Sequence, residues 1–395
     1  MFVLDHPYVS GSLIESVKRL GLPVLDTANA RALTRGADLE FIDEIEFSAR
    51  MGLGARVYTN SENGLEYILR CRCNEDLARQ VDVCKDKALF RETVAPLHPG
   101  YRFLRVPIDE LADLDVSFFD GPFIVKPARG FFSLGVHQVA SHDGWPDVVD
   151  AILAERDALN AEYPEGVVSA AEFLVEDGIE GEEYAIDVYF GSDGTPVITN
   201  ILHHYFLSGD DVSDRLYYTS SRIIRQWLEP FTDYAARVGR RCRFRDFPIH
   251  LEVRVMHSGE ILPIEANPLR FAGWCVADMT RLAWGVDPYE CYFKGIAPDW
   301  EAILEGREGE VTTMTIADVP PGMDRADITG FDVEGFKSMF DNMLELREID
   351  YSTYPVFAFC FARMDEAGVA ALKTALKRDF SRFVTLGGRS GPPSA

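Results

Sequence analysis

The segment "HLEVRVMHSGEILPIEANPLRFAG", residues 250–273, constrains the fold more than any other stretch of this chain. Its alternating apolar residues predict two strands, and Ser258-Gly259 predicts a tight, glycine-containing turn between them. If that turn contains two residues, the register places Glu252 directly opposite Glu265. Like charges that face each other across two strands are destabilising, so the hairpin requires a compensating partner.

Side-chain alternation predicts that Arg254 shares a face with Glu252, and that Asn267 shares a face with Glu265. A hard divalent cation would offset the two carboxylates, because carboxylate and Asn carbonyl oxygens are ligands that Mg²⁺ prefers. The alternative is a solvated hairpin face on which both glutamates point into water, helped by Arg254. Pro263 has no backbone donor, so its strand must also contain a missing ladder bond or a bulge.

The bulk composition narrows the class of protein. A chain of 395 residues is long for one hydrophobic core, so we expect two or three domains. A net charge of -25 argues against nucleic acid or an anionic membrane as the main partner. The seven cysteines form no CxxC pair and indicate reduced thiols. The sequence shows neither a signal peptide nor an apolar run of membrane-spanning length, so we expect a cytoplasmic protein.

The first hundred residues alternate between short strands and helices. "FVLD" and "LPVLDT" are typical of strands, residues 10–20 predict a helix closed by Gly21, and "FIDEIEFSARMG" is interpreted as a helix before a third strand. This pattern predicts a parallel, Rossmann-like sheet. No GxGxxG follows the first strand, so dinucleotide binding is not indicated. A run of helices is expected from Glu62 to Val94.

Apolar strands dominate the middle of the chain, and turns such as "GSDG" indicate antiparallel pairing. Helices over residues 143–161 and 221–240 interrupt them, so we expect an α+β body after the α/β amino-terminal domain. Further strands and the amphipathic stretch "EAGVAALKTALKRDFSRFV" predict a small carboxy-terminal α/β subdomain with a disordered tail. The expected boundaries are 1–85 for the amino-terminal domain, 86–300 for the body with a lid at about 120–175, and 301–395 for the carboxy-terminal subdomain.

Two more segments are typical of nucleotide sites. In "PFIVKPARGFFSLGVHQVAS", a strand delivers Lys126 and a loop with Gly130, Ser133 and Gly135 follows; small residues let backbone amides approach phosphate oxygens. This is not a P-loop, which needs GxxxxGK[ST] before a helix, and the alternative is an ordinary hairpin with an exposed lysine. In "VEDGIEGEEYAIDV", acidic residues flank a short connector between strands. Such a connector can contact an adenine edge and ribose hydroxyls, or can simply be a solvated turn.

Taken in order, these three segments resemble the ATP-grasp superfamily of carboxylate–amine ligases over about residues 86–285. In that family a lysine follows an aspartate, as Lys87 follows Asp86 here, and a second lysine lies in a KP-containing hairpin, as Lys126 does. The resemblance implies a nucleotide site formed by Lys87, Lys126, Ser133, Glu176, Asp177, Ile179 and Glu183. Within it, Glu176 would be the acid that contacts adenine, Asp177 and Ile179 would offer backbone groups to the adenine edge, and Glu183 would bind the ribose. It implies a metal set formed by Glu252, Glu265 and Asn267.

The resemblance also implies roles for two arginines. Arg270, three residues after Asn267, would contact the substrate carboxylate, and Arg254 would stabilise charge on the transferred phosphoryl group. The chain departs from the family pattern in the loop "ARGFF" and at Gly178, where a bulkier residue is often found. Three further residues stay open as substrate contacts: His203, His204 and Arg222.

Together these parts imply an ATP-dependent ligase with ATP and Mg²⁺ as cofactors. ATP would phosphorylate a carboxylate to an acyl phosphate, which an amine then attacks, with an amino acid or small carboxylic acid as substrate. Small-molecule carboxylates and amines are the expected partners, and a homodimer is common among proteins that resemble this family. Two alternatives stay open: a kinase- or carboxylase-like member of the same architecture, and a non-catalytic ATP-binding regulatory protein.

Overall fold

The computed structural model describes residues 1–130, 135–162, 169–206, 215–378 and 380–387, without the side chains of 156–162, 169 and 170. Its strands are β1 Phe2–Val3, β2 Val24–Leu25, β3 Phe41–Ile42, β4 Tyr58–Thr59, β5 Phe103–Pro107, β6 Phe123–Arg129, β7 His137–Val139, β8 Ser169–Asp177, β9 Glu182–Phe190, β10 Pro196–Tyr205, β11 Leu216–Ser220, β12 Phe247–Val255, β13 Ile261–Pro268, β14 Val311–Asp318, β15 Ile328–Phe331, β16 Met343–Glu348, β17 Val356–Met364 and β18 Val384–Leu386. Its helices are α1 Gly11–Leu20, α2 Ala28–Leu33, α3 Glu44–Gly52, α4 Asn63–Cys71, α5 Glu75–Lys85, α6 Lys87–Val94, α7 Trp145–Glu162, α8 Ser221–Cys242, α9 Met279–Trp284, α10 Pro288–Lys294, α11 Trp300–Leu304, α12 Val333–Lys337 and α13 Glu366–Ala375. Within these residues, no helix is long and apolar enough to cross a bilayer.

Four short strands at the amino end form a parallel sheet in the order β3-β2-β1-β4. Ser10 caps α1 by accepting the Leu13 amide at 3.0 Å, and Gly21 ends that helix at a φ of 59°. The predicted Rossmann-like arrangement is therefore confirmed. One local prediction is wrong: β3 lies inside the stretch interpreted as a helix, because Asp43 caps α3 only after that strand.

A second sheet, which we call the lid sheet, is antiparallel and has the order β5-β8-β6-β7. Its core includes Phe123, Phe173 and Trp145, each at most 5% exposed, and Trp145 begins the helix α7 that packs on this sheet. The rings of Phe119 and Phe123 stack with centroids 5.0 Å apart. This apolar core holds β6 and β8 side by side and thereby fixes the side chains on their other face.

Strands β12 and β13 form the predicted hairpin, and β9 pairs with the other edge of β12. The predicted turn is wrong in detail: a 2.9 Å hydrogen bond joins the Met256 amide to the Glu260 carbonyl, so the loop contains three residues. This longer loop shifts the register by one residue near the turn. A bulge beside Pro263 shifts it back, so Glu252 still lies opposite Glu265.

The chain divides into two compact units. The first contains residues 1–199, 229–278 and 287–298, and the second contains residues 200–228, 279–286 and 299–395. In the second unit β11, β14, β17 and β16 lie side by side in that order, and β15 pairs with β18. The three domain boundaries proposed from the sequence stay a prediction.

The amphipathic stretch near the carboxy end forms a shorter helix than its pattern predicts. Helix α13 ends at Ala375, and the rings of Phe380 and Phe383 are buried against Phe336. The chain leaves the helix before Phe380, and burial of these two rings stabilises the segment that follows.

Candidate active site

Three neighbouring strands of the first unit place polar side chains on one face. On β12, His250, Glu252 and Arg254 alternate with the buried residues Leu251 and Val253, so the three polar residues point the same way. The residues opposite them on the flanking strands are Asp187 and Asn267 for His250, Glu265 for Glu252, and Glu183 for Arg254. The hairpin that the sequence singled out thus lies at the centre of a polar surface.

Both facing glutamates contact the Asn267 amide, and Glu265 also contacts Lys87. We call these four residues, Glu252, Glu265, Asn267 and Lys87, the hairpin cluster. Asn267 Nδ2 lies 3.0 Å from Glu265 Oε1 and 3.3 Å from Glu252 Oε1. Lys87 Nζ lies 3.3 Å from Glu265 Oε2. Burial by itself would raise the pKa of Glu265, but Lys87 and Lys126 lower it to about 2. Glu265 is therefore ionised throughout the physiological range.

The chemistry of this cluster fits a hard divalent cation. Two carboxylates and, after rotation of its amide, the Asn267 carbonyl would supply oxygen ligands. The side chains of Glu252 and Glu265 are 23% and 25% exposed, so an ion can reach them. Within the described ranges, no three His, Cys, Asp or Glu side chains gather as a metal cage, and the predicted set contains two such residues with one amide.

A second charged group, which we call the lid cluster, contains Lys126, Glu176 and Arg91. Glu176 Oε1 lies 2.7 Å from Lys126 Nζ, and Glu176 Oε2 accepts from Arg91 Nε at 2.7 Å. These side chains are 7%, 4% and 2% exposed, respectively. Burial by itself would raise the pKa of Glu176, but Arg91 and Lys126 hold it below its usual range. Arg91 was not predicted, because one arginine in an amphipathic helix resembles any surface arginine.

A third group, which we call the anchor cluster, surrounds Arg270. Arg270 Nε and Nη2 both lie 3.1 Å from Glu62 Oε1, and Lys85 Nζ donates to the other oxygen of Glu62. The Arg270, Glu62 and Lys85 side chains are 11%, 7% and 6% exposed. Burial by itself would raise the pKa of Glu62, whereas Lys85 and Arg270 lower it. Glu62 and Lys85 were not predicted, because only tertiary contact sets them apart from other helix-terminal charges.

The connector between β8 and β9 is held by hydrogen bonds within the protein. The Asp177 amide donates to the Arg102 carbonyl at 3.0 Å, and the Asp177 carbonyl accepts from the Tyr101 hydroxyl at 2.6 Å. The Ile179 carbonyl accepts from Arg254 at 2.6 Å. An adenine edge at the predicted Asp177 and Ile179 positions would therefore share these backbone groups with protein partners.

Arg254 also links the connector to the predicted ribose-binding acid. Its Nε donates to Glu183 Oε2 at 3.0 Å, across adjacent strands. Gly178, the departure from the family pattern, donates its amide to the Pro122 carbonyl at 2.9 Å. A Cβ atom at Gly178 would lie 2.8 Å from that carbonyl oxygen, so the close approach of the two segments requires glycine.

The two predicted nucleotide-binding lysines approach the hairpin cluster from different elements. Lys87 begins α6, where Asp86 caps the helix, and its Nζ donates to the Gly130 carbonyl at 2.7 Å. Lys126 comes from β6 and lowers the pKa of Glu265. Ser133 lies outside the described residues, so its predicted contact with phosphate stays a prediction.

A buried pair beside Glu252 was not predicted. His250 Nδ1 lies 2.7 Å from Asp187 Oδ1, which also accepts the Ala272 amide at 2.9 Å. His250 Nε2 lies 3.6 Å from Glu252 Oε1. The alternation that placed Glu252 and Arg254 on one face also includes His250, so this signal was available in the sequence. Asp187 is fully buried and was recognisable only from strand pairing.

The residues left open by the sequence lie in the second unit. His203 bonds to the Tyr218 hydroxyl, and the His204 ring stacks on Tyr217 with centroids 4.1 Å apart. Arg222 is 69% exposed and pairs with Glu366 at 3.2 Å. Whether these residues contact a substrate stays an open prediction.

Comparison with known proteins identifies the domain. Residues 119–278 match the family model of the ATP-grasp domain. No curated protein sequence matches the chain. An L-amino acid ligase from Bacillus licheniformis has a similar structure, with 15% identity, a TM-score of 0.70 and coverage of 98% of each chain.

Two further structures are similar over nearly the whole chain. The N5-carboxyaminoimidazole ribonucleotide synthetase from Thermotoga maritima has 15% identity, a TM-score of 0.65 and coverage of 98% of each chain. A biotin carboxylase from Campylobacter jejuni has 13% identity, a TM-score of 0.63, and coverage of 98% of this chain and 92% of its own. At these identities the likeness shows the fold. The chain thus contains an ATP-grasp domain and has the ATP-grasp fold, which confirms the resemblance drawn from its sequence.

Proposed function

We propose that this protein is an ATP-dependent ligase that activates a carboxylate as an acyl phosphate and couples it to an amine. An amino acid or a small carboxylic acid is the proposed substrate. The observation that carries the proposal is the hairpin cluster, in which Glu252 and Glu265 face each other beside Lys87 and near Lys126. Oxygen ligands for a cation beside lysines for phosphate oxygens are the parts that phosphoryl transfer needs.

The charges of the three clusters support this reaction. The two carboxylates and one lysine of the hairpin cluster leave a net charge of -1. The lid cluster and the anchor cluster each combine two cations with one carboxylate, which leaves +1 in each. Lys126 and Arg270 both lower the pKa of Glu265, so a residue of each positive cluster lies near the negative one. A cation, a polyphosphate and a carboxylate would each find a complementary charge.

In the proposed mechanism the protein positions the substrates and neutralises their charges, and no side chain acts as a nucleophile. Arg270 orients the substrate carboxylate, whose oxygen takes the γ-phosphoryl group of ATP and releases ADP. The amine then attacks the acyl carbon, loses a proton, and displaces phosphate. Lys87 and Lys126 hold phosphate oxygens, and Arg254 contributes positive charge at the phosphoryl group.

Glu252, Glu265 and Asn267 would hold Mg²⁺. When bound, Mg²⁺ supplies charge neutralisation at the phosphate oxygens. The similarity in fold to an L-amino acid ligase supports an amino acid substrate, and the similarity to a biotin carboxylase keeps a carboxylase-like reaction as the alternative. A cytoplasmic location and a homodimer complete the proposal.

The test is phosphate release from Mg-ATP across amino acids and small carboxylic acids, supplied singly and in pairs. We expect release that requires both an acid and an amine. Glu265→Gln should reduce it by about 100-fold or more, because a proposed ligand of the cation that neutralises the phosphate oxygens is lost. The matched control is Glu260→Gln, which changes a half-exposed glutamate at the turn of the same hairpin and should retain the rate.

The outcomes separate the candidate functions. Release that needs bicarbonate and no amine would replace the ligase with the carboxylase-like alternative. Tight ATP binding without release on any pair would favour a regulatory protein. An undiminished rate in Glu265→Gln would contradict the proposed site itself.

A further inference from the structure

Arg91 is the most deeply buried cation near the proposed nucleotide site, and no role was predicted for it. Its side chain is 2% exposed, and its Nε donates to Glu176 at 2.7 Å. Its Nη1 and Nη2 atoms make no hydrogen bond within the described part of the chain. The guanidinium lies 4.6 Å from the centre of the Tyr101 ring, whose face supplies a cation–π contact. Burying an arginine with two unbonded nitrogens lowers the stability of the fold, which indicates that Arg91 has a compensating role.

The charge of Glu176 supplies that reason. Glu176 is 4% exposed in its side chain and lies 2.7 Å from Lys126 Nζ. A carboxylate and an ammonium at this distance would form a closed, neutral pair if they were alone. Lys126 would then offer no net charge to an anion. Arg91 contacts the other carboxylate oxygen, so the cluster keeps one unit of positive charge.

We propose that Arg91 is a positioning residue that neutralises Glu176, so that Lys126 is held in place while its charge stays available to the phosphates of ATP. This inference rests on the proposed function, because it assumes that Lys126 meets a nucleotide. It also assigns Glu176 a role that differs from the adenine contact implied by the family resemblance. The Glu176 carboxylate orients Lys126, and Arg91 neutralises the negative charge of that carboxylate.

The backbone geometry supports this division of roles. Lys126 lies on β6 and Glu176 on the neighbouring strand β8, so the carboxylate can fix the lysine from the side. Arg91 comes from α6, the helix that begins with Lys87. Tyr101, which covers the guanidinium, donates its hydroxyl to the Asp177 carbonyl in the connector. Arg91 therefore contacts both Glu176, which pairs with Lys126, and Tyr101, whose hydroxyl donates to the connector.

The experiment is a double-substitution cycle read out by ATP affinity, measured calorimetrically on the full chain with Mg²⁺. Arg91→Met should weaken ATP binding by roughly ten- to a hundredfold, because Lys126 becomes neutralised by Glu176. Adding Glu176→Gln to Arg91→Met removes one charge of each sign and leaves Lys126 cationic. The double variant should therefore regain most of the lost affinity, to within about threefold of the unmodified protein.

Arg56→Gln is the matched control. Arg56 also combines a carboxylate partner, Asp246 at 2.6 Å, with a cation–π contact, to Tyr292 at 5.4 Å. It belongs to none of the three clusters, so its replacement should change ATP affinity less than about threefold. Thermal unfolding of each variant reports whether the fold persists.

Rescue in the double variant would support the charge-balance role, because a residue needed only for packing would not be rescued by removing its partner's charge. A double variant as weak as Arg91→Met, or weaker, would overturn it and favour a direct contact of Glu176 with adenine. If Arg91→Met does not fold, Arg91→Lys decides: it keeps a positive charge beside Glu176 and should retain ATP affinity to within about threefold, whereas a loss of tenfold or more would overturn the charge-balance role. Absence of ATP binding by the unmodified protein would instead refute the proposed function.

Discussion

The lid cluster and the hairpin cluster contain the same kinds of charged residue but differ in how their carboxylates are paired and how deeply they are buried. In the lid cluster, Glu176 is almost fully buried and both of its oxygens contact a cation. In the hairpin cluster, Glu252 and Glu265 face each other and remain about one-quarter exposed, and Lys87 pairs with Glu265. In the first, the carboxylate is fully paired within the protein. The second presents two facing carboxylates that a bound cation would neutralise.

This difference predicts that substitutions in the two clusters affect the stability of the ligand-free protein to different extents. Removing one member of a buried, compensated pair leaves an unpaired charge, so the lid cluster should affect stability strongly. The hairpin cluster tolerates water around its carboxylates and should affect stability mainly when a ligand is bound.

Glu176→Gln should lower the free energy of unfolding by about 3 to 5 kcal/mol, because Arg91 and Lys126 would stay buried with no carboxylate between them. The measurement is equilibrium denaturation in urea. Glu172→Gln on the same strand is the control: its side chain is 44% exposed and pairs with Arg105, so it should cost less than about 1 kcal/mol. Equal losses of unfolding free energy in Glu176→Gln and Glu172→Gln would contradict the special importance of the buried lid cluster for stability.

Mn²⁺ with ADP should stabilise the protein through the hairpin cluster. At a free concentration about 100 times the dissociation constant, the expected gain is about 2.7 kcal/mol, seen as a rise in Tm. Glu252→Gln should abolish most of that rise while leaving the metal-free Tm within a few degrees. A rise that survives unchanged in Glu252→Gln would place the metal elsewhere.

Gly178→Ala should cost about 1 to 3 kcal/mol, because the new Cβ would lie 2.8 Å from the Pro122 carbonyl oxygen and force the connector away from the lid sheet. Gly121→Ala is the control, since nothing lies within 4 Å of its added Cβ. Denaturation midpoints of both variants give the comparison. Similar midpoints would mean that the connector adapts without strain.

The stability contributed by Glu265 should depend on pH in the metal-free protein. Its pKa falls from 4.5 to about 2 on folding, so its ionised form is stabilised in the folded state. That contribution is fully present above pH 4.5 and is lost as the pH falls toward 2. The difference in unfolding free energy between the unmodified protein and Glu265→Gln should therefore shrink, by on the order of 1 kcal/mol, between pH 5 and pH 3. A difference that grows on acidification would contradict the assigned direction.

Much of the polar face of the hairpin could be predicted from the sequence, because it depends on local periodicity. Strand alternation and the glycine turn were enough to place Glu252 opposite Glu265, with Asn267 on the same face. The predicted loop length was nevertheless wrong. The loop has three residues rather than two, and the bulge beside Pro263 restores the predicted register. The missing backbone donor of proline had already indicated an irregularity there.

Most elements and their polar faces follow from local sequence, since helix caps, turns and period-two alternation are properties of neighbouring residues. Which charges meet depends instead on how distant segments pack. Arg91 and Glu176 are 85 residues apart, and Arg270 and Glu62 are 208 apart. No local pattern distinguishes Arg91 or Glu62 from surface charges, because their burial and pairing arise only when α6 packs on the strands and α4 packs on α5. The compensation of charge across distant segments is a property of the folded chain.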